Sequence, residues 1–442
     1  MKMVVFVRLL PVFLAALCCP SRETTPQIAG VPPASVNDIA TGFNLTLPGS
    51  MTRTTLLDSI LGPQSASDGL AFNNRSDRGF TRPFHLMWRR GSASATGAVD
   101  YYVSPSGSDS RGDGSLSRPW ATIAHASTLV GPGATVHVAA GIYEGSFKTY
   151  ASGIVAARIT YISDTKWGAK LIGTRGSTWA NHGDYVDIVN FDVTGPGLNG
   201  IYTEGDSTRI IGNHVHDMPI ACTSTGGSGI NLNATNAEVE GNYVHDIGPY
   251  PDHCQYVHGI YFLETGGHAY NNVSFRNSGW GIHLWHSASN LVIANNTLFN
   301  NLSGGIVIGN NATIADGLVV NNNIAYNNKQ GIKEEGKTGT HNIYRNNLVF
   351  QNSSSNFSLQ HGKTAAGTVS ADPQFVNFTG DPTGDYHLRS SSPAIDAGIS
   401  DSAPTTDYDG VSRPQGPAWD IGAYEYVPSP SSSLVVVPLA AP

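Results

Sequence analysis

The chain has 442 residues, enough for one large domain with appendages or for two domains. Only 13% of its residues are charged, and 50 are glycine, which argues for a β-rich, turn-dense protein and against a helical one. A formal net charge of −8 leaves no basic footprint, so neither nucleic acid nor an anionic membrane is an expected partner.

In chain order, residues 1–20 read as a secretory signal peptide. Lys2 and Arg8 precede an apolar run that ends near Leu17 and is too short for a transmembrane span. Cys18 and Cys19 are candidates for a lipid anchor, although Leu17 is a poor neighbour for such a site. Residues 21–99 are a weakly patterned extension or linker rich in Ser, Thr, Gly and Pro. No later stretch is long and apolar enough to span a bilayer. The mature chain is therefore expected to be secreted or held at the cell surface, as a monomer.

From about residue 185 an internal repeat sets the fold. Gly-Ile recurs in "NGIYTE", "SGINLN", "HGIYFL", "WGIHLW", "GGIVIG" and "QGIKEE", starting at residues 199, 228, 258, 280, 304 and 330. A second phrase follows each by a further strand, and its asparagines are Asn213, Asn242, Asn272, Asn296, Asn323 and Asn347. Each period holds three short alternating runs separated by turns. Three strands per turn with a polar residue stacked at one corner implies a parallel β-helix over residues 100–370, whose coils stack at about 4.8 Å. The Asn column would satisfy turn backbone groups and bond to its own copies. A leucine-rich repeat is the structural alternative, but its leucine scaffold is missing. In this register Cys222 and Cys254 occupy equivalent turns of adjacent coils, so a structural disulfide is expected.

These repeats resemble the right-handed β-helix superfamily that includes pectate lyases and other polysaccharide-active proteins. The segment "YYVSPSGSDSRGDGSLSRPWATIAHA" (101–126) is similar to the one that opens such helices in exported bacterial members. Residues 371–426 resemble a choice-of-anchor Q module through "ADPQFVN", "DYHLRSSSPAIDAG", "DYDGVSRP" and "DIGAYEY", and a tail (427–442) follows. The likeness covers roughly residues 100–426 and speaks to fold and export far more than to activity.

The resemblance places a carbohydrate cleft on the sheet built from the Gly-Ile strands. Alternation sends Ile201, Ile230, Ile260, Ile282, Ile306 and Ile332 inward. The next residues form an outward column of Tyr202, Asn231, Tyr261, His283, Val307 and Lys333. A second outward column holds Glu204, Trp285 and Glu335, and a third holds His258 and Trp280. Aromatic rings suit the apolar faces of sugars, and Asn, Glu and His suit their hydroxyls. Tyr202, Glu204, Asn231, Trp280, Trp285 and Glu335 are thus the candidate substrate-binding residues, unless the tryptophans merely cap the sheet beneath a loop.

The reaction such a stripe suits is β-elimination on an extended acidic polysaccharide, a polyuronate. His283, Tyr261, His258 and Lys333 are the candidate catalytic residues, with histidine as the natural base and Lys333 as a partner for the substrate carboxylate. The longer turn "GPYPDHCQYVH" ends at His258 and could overhang the cleft. No metal site and no cofactor are expected, and calcium is left open because the cleft acids are scattered over different coils. His216, Asp217, His245 and Asp246, in "NHVHD" and "NYVHD", read as repeat chemistry, with His214 and His216 as a minor metal candidate. The "PDH" at 251–253 has the wrong order for an alginate epimerase. Glu204 and Glu335 are five coils apart, on the order of 24 Å, too far to hydrolyse one bond together. The alternatives are a non-catalytic surface or carbohydrate-binding β-helix protein and, further off, a uronate C5-epimerase or glycoside hydrolase.

Overall fold

The computed structural model describes residues 99–428. The signal peptide with Cys18 and Cys19, the extension up to residue 98, and the tail beyond residue 428 lie outside the described residues.

The described residues form a right-handed parallel β-helix with three parallel sheets of ten, nine and nine strands. Each coil runs from the ten-stranded sheet through an asparagine turn to a second sheet, then to the sheet of Gly-Ile strands. Coil stacking follows the repeat register: Ile201 pairs with Ile230, Ile230 with Ile260, Ile260 with Ile282, Ile282 with Ile306 and Ile306 with Ile332. All six isoleucines are at most 1% exposed. Burying such a side chain contributes about 1.5–3 kcal/mol, so this inward column alone is a major source of stability.

Asn213, Asn242, Asn272, Asn296, Asn323 and Asn347 are fully buried at one corner. The side-chain amide of each of the first five donates to the Oδ1 of the next at 2.9–3.1 Å. Each also caps a carbonyl of the preceding coil, as Asn272 does Val239 at 2.8 Å. A second ladder, Asn277–Asn301–Asn328–Asn352, runs along the next corner with amide bonds of 2.8–3.2 Å. The doublets have a division of labour. Asn271, Asn295, Asn322 and Asn346 take left-handed backbone angles (φ 50–55°), which Asn tolerates, and this turns the following Asn inward.

Those left-handed asparagines also hold the C-terminal segment. Asn271 donates to the carbonyl of Thr406, Asn295 to Asp420, Asn322 to Ile399 and Asn346 to Ala397. Phe375, Tyr386, Leu388, Ile421 and Tyr424 bury against Phe275, Phe299, Ile324 and Leu348 of the coils. Buried Arg413 pairs with Glu425 at 2.8 Å and reaches Asn271. Residues 371–426 thus share a core with the helix they cover. The Cys222 and Cys254 sulfurs are bonded, with Cα atoms 5.6 Å apart.

Candidate functional site

A cleft of about 800 Å³ opens on the sheet of Gly-Ile strands. Its floor comes from Gly227–Leu232, Val257–Phe262, Trp280–Leu284, Gly304–Ala315 and Gln330–Thr338. Residues 253–256 form one wall, and the disulfide at Cys254 anchors that loop to the preceding coil.

Tyr261 and His283 are register partners, and their rings stack at 4.7 Å with planes 8° apart. His283 Nδ1 lies 2.6 Å from His258 Nε2. The Nδ1 of His258 accepts the Trp280 backbone N–H at 3.3 Å, so the His258 proton must sit on Nε2 and point at His283. His283 therefore accepts at Nδ1 and carries its own proton on Nε2. Burial pushes the His258 pKa down to about 3. Burial, then the neighbouring His258 and His286, hold His283 well below the ordinary histidine range. Burial also raises the Tyr261 phenol above the ordinary tyrosine range. At neutral pH all three are uncharged, and His283 and Tyr261 both line the cleft.

This arrangement bears on two of the expected roles. His258 borders the cleft but is 2% exposed, with its Nε2 on His283. With its proton on Nε2, a neutral His283 offers a donor there in place of a lone pair.

The two tryptophans lie across glycines of the next coil. Trp280 pairs with Gly304, where a Cβ would come within 2.2 Å of the indole. Trp285 likewise crosses Gly309, where a Cβ would meet its ring at 2.8 Å. Glycine at these positions is what lets the rings lie flat. Trp280 is 8% exposed and forms part of the cleft wall. Further along the same face, Lys333 pairs with Glu335 at 2.8 Å.

Of the substrate-binding candidates, Asn231, Trp280, Trp285 and Glu335 line the cleft with Lys333. Tyr202 and Glu204 do not. The Tyr202 hydroxyl donates to Glu204 at 2.7 Å, and Glu204 also meets His182 at 2.8 Å. Sequence reasoning missed His253, Tyr256 and Lys329, which also line the cleft; Gln330, two residues before Ile332 in the same outward column as His258 and Trp280, lines it too. His253 and Tyr256 lie in the turn flagged as an overhang, and Lys329 directly precedes the strand Gln330–Thr338, so the signal was available. Glu335 is the one carboxylate among the cleft-lining residues. Among the described residues, two groups of side chains could gather a metal, His214/His216/His245 and Glu238/Glu240/His268, and they lie on the other two sheets.

Comparisons with known proteins agree with the architecture. Residues 177–375 match the family model described as a right-handed beta helix region. The structure of pectate lyase Pel9A superposes with a TM-score of 0.51 at 19% identity, over 75% of this chain and 97% of that one. A rhamnogalacturonan lyase gives 0.43 at 16% identity, over 66% and 95%. An alginate lyase from Paenibacillus sp. str. FPU-7 gives 0.34 at 16% identity, over 55% and 96%. At these identities the likeness is one of fold. No curated protein matches the sequence.

Proposed function

We propose that this chain is an exported protein that binds an extended acidic polysaccharide in the cleft and cleaves it by β-elimination. The observation that carries the reading is the stacked Tyr261–His283 pair in a cleft walled by Trp280 and Trp285 and flanked by Lys329 and Lys333. The fold likeness to polysaccharide lyases accords with it, and the disulfide accords with an oxidising compartment.

In this reading His283 donates from Nε2 to the uronate carboxylate, which carries growing negative charge as the adjacent carbon loses its proton. A neutral imidazole serves as that donor without needing to titrate. Lys333 stands two coils further, roughly 9.6 Å along the axis, and holds a carboxylate of the same polymer. Tyr261 moves the proton. Its phenolate takes the proton from the carbon beside the carboxylate, and that electron pair becomes the new carbon–carbon double bond. The bond to the leaving oxygen breaks, and the phenol returns the proton to that oxygen.

A purely binding role is favoured by one observation: the groups of the cleft already satisfy one another, as in Lys333–Glu335 and His258–His283. Ultraviolet absorbance of the mature protein with alginate, pectate and glycosaminoglycans, with and without calcium, separates the two. A growing unsaturated-uronide signal supports the lyase. A flat trace on polymers that nevertheless bind supports the binding protein.

A further inference from the structure

The sheet between the asparagine corner and the cleft sheet carries a second cluster. His214 and His216 project from one face of the strand His214–Met218 and stack at 3.9 Å. His245, the register partner of His216, joins them from the next coil. One ring nitrogen from each lies within 4.8 Å of one from each of the others.

Each of the three rings has its Nδ1 facing a different carboxylate. His216 Nδ1 lies 2.8 Å from Asp217, His245 Nδ1 2.7 Å from Asp246, and His214 Nδ1 3.3 Å from Asp192. Asp217 and Asp246 reach back to the ring just before them because they adopt left-handed backbone angles, φ 48° and 54°. An Nδ1–H donated to a carboxylate leaves Nε2 as a bare lone pair. Yet the Nε2 atoms of His214 and His245 face one another at 2.8 Å. His216 Nε2 faces the Asp192 carboxylate at 3.2 Å. A proton on one nitrogen of each facing pair makes these contacts attractive, and so does a metal ion held between the rings.

We propose that His214, His216 and His245 bind a divalent transition metal, zinc by preference, through one ring nitrogen each. Carboxylates that fix the far nitrogen of each histidine are the usual surroundings of such ligands. A zinc–nitrogen distance of about 2.0–2.1 Å sets neighbouring ligands roughly 3.3 Å apart, an opening of about half an ångström from the His214–His245 contact. The Trp167 ring lies tilted against His214 at 4.6 Å, and three protein ligands leave the fourth position to water. It ties together the coils that contribute His214–Met218 and Tyr243–Ile247, on a sheet separate from the cleft.

The test is calorimetric titration of tag-free, chelator-stripped full-length protein with Zn²⁺, with Co²⁺ as a spectroscopic probe. One equivalent should bind, give the visible absorption of tetrahedral cobalt and raise the unfolding temperature. His214→Gln and His216→Gln should weaken binding by about a hundredfold and abolish the thermal shift, and Asp246→Asn should weaken it by about tenfold or more. His268→Gln, in the other candidate group, should change nothing. Absence of one-equivalent binding by the unsubstituted protein overturns the proposal without reference to any variant. So does binding that survives in both His214→Gln and His216→Gln.

Discussion

His258 Nε2 donates to His283 Nδ1 at 2.6 Å, while the His258 Nδ1 accepts the backbone N–H of Trp280. The main chain of Trp280 thereby sets the tautomer of His283 on the same strand, through a histidine of the preceding coil. Under the lyase reading, His258→Ala should lower kcat on the order of a hundredfold with little change in KM, since it frees the His283 ring without removing a polymer contact. His258→Gln, whose amide restores a donor, should recover part of that loss. An unchanged kcat in His258→Ala would remove the relay from the mechanism.

Proton transfer by Tyr261 has a distinct pH signature. Burial raises its pKa above the ordinary tyrosine value, so the phenolate fraction grows with pH throughout the range in which the fold survives. The catalytic rate should climb steadily into the alkaline region. A bell centred near neutrality in a pH–rate profile would assign the step to a histidine instead.

Gly304→Ala tests the Trp280 platform. The added methyl would lie 2.2 Å from the indole and 2.7 Å from the Gln330 carbonyl, so the ring must move. The expected cost is about 1–3 kcal/mol of stability, with weaker polymer binding and altered tryptophan fluorescence. Denaturant unfolding and affinity electrophoresis measure both.

The asparagine ladder should be equally sensitive. Asn272→Ala leaves the Val239 carbonyl without its 2.8 Å donor and breaks the links to Asn242 and Asn296. Each such buried orphan costs about 1–3 kcal/mol. A urea midpoint that does not move would mean that the backbone stack holds without its ladder.

The half-exposed His387 supplies a pH test of the C-terminal segment. Its hydrogen bond to Asp409 at 2.7 Å, aided by Asp385 at 2.6 Å, raises its pKa from 6.5 to about 9. The folded state therefore binds this proton more tightly than the unfolded chain. Its contribution to stability is complete below pH 6.5 and drains away as pH rises towards about 9. Thermal melts across that window should show a slope that His387→Gln reduces.

Much of this was legible in the sequence because a solenoid repeats its register. Once the Gly-Ile phrases were aligned, strict alternation placed Tyr261, His283 and Lys333 in one column, and their ladder pairing follows it. The second asparagine ladder was also on the page, in the closing residues of "NNTLFNN" and its copies. What alternation cannot convey is how loops fold over a sheet. The contact of His258 with His283, and the tautomer of His283, depend on a main-chain donor at Trp280. The His214 cluster was half visible in the two "HD" phrases, but Asp192 comes from a coil that has no such phrase.

The most direct test of the central claim is Tyr261→Phe, assayed by unsaturated-uronide absorbance on whichever acidic polymer the protein binds, beside a binding isotherm for that polymer. Unsaturated product from the native protein, lost in Tyr261→Phe while affinity is retained, is the predicted result. A variant that keeps the native rate would contradict the assignment of proton transfer to this cleft.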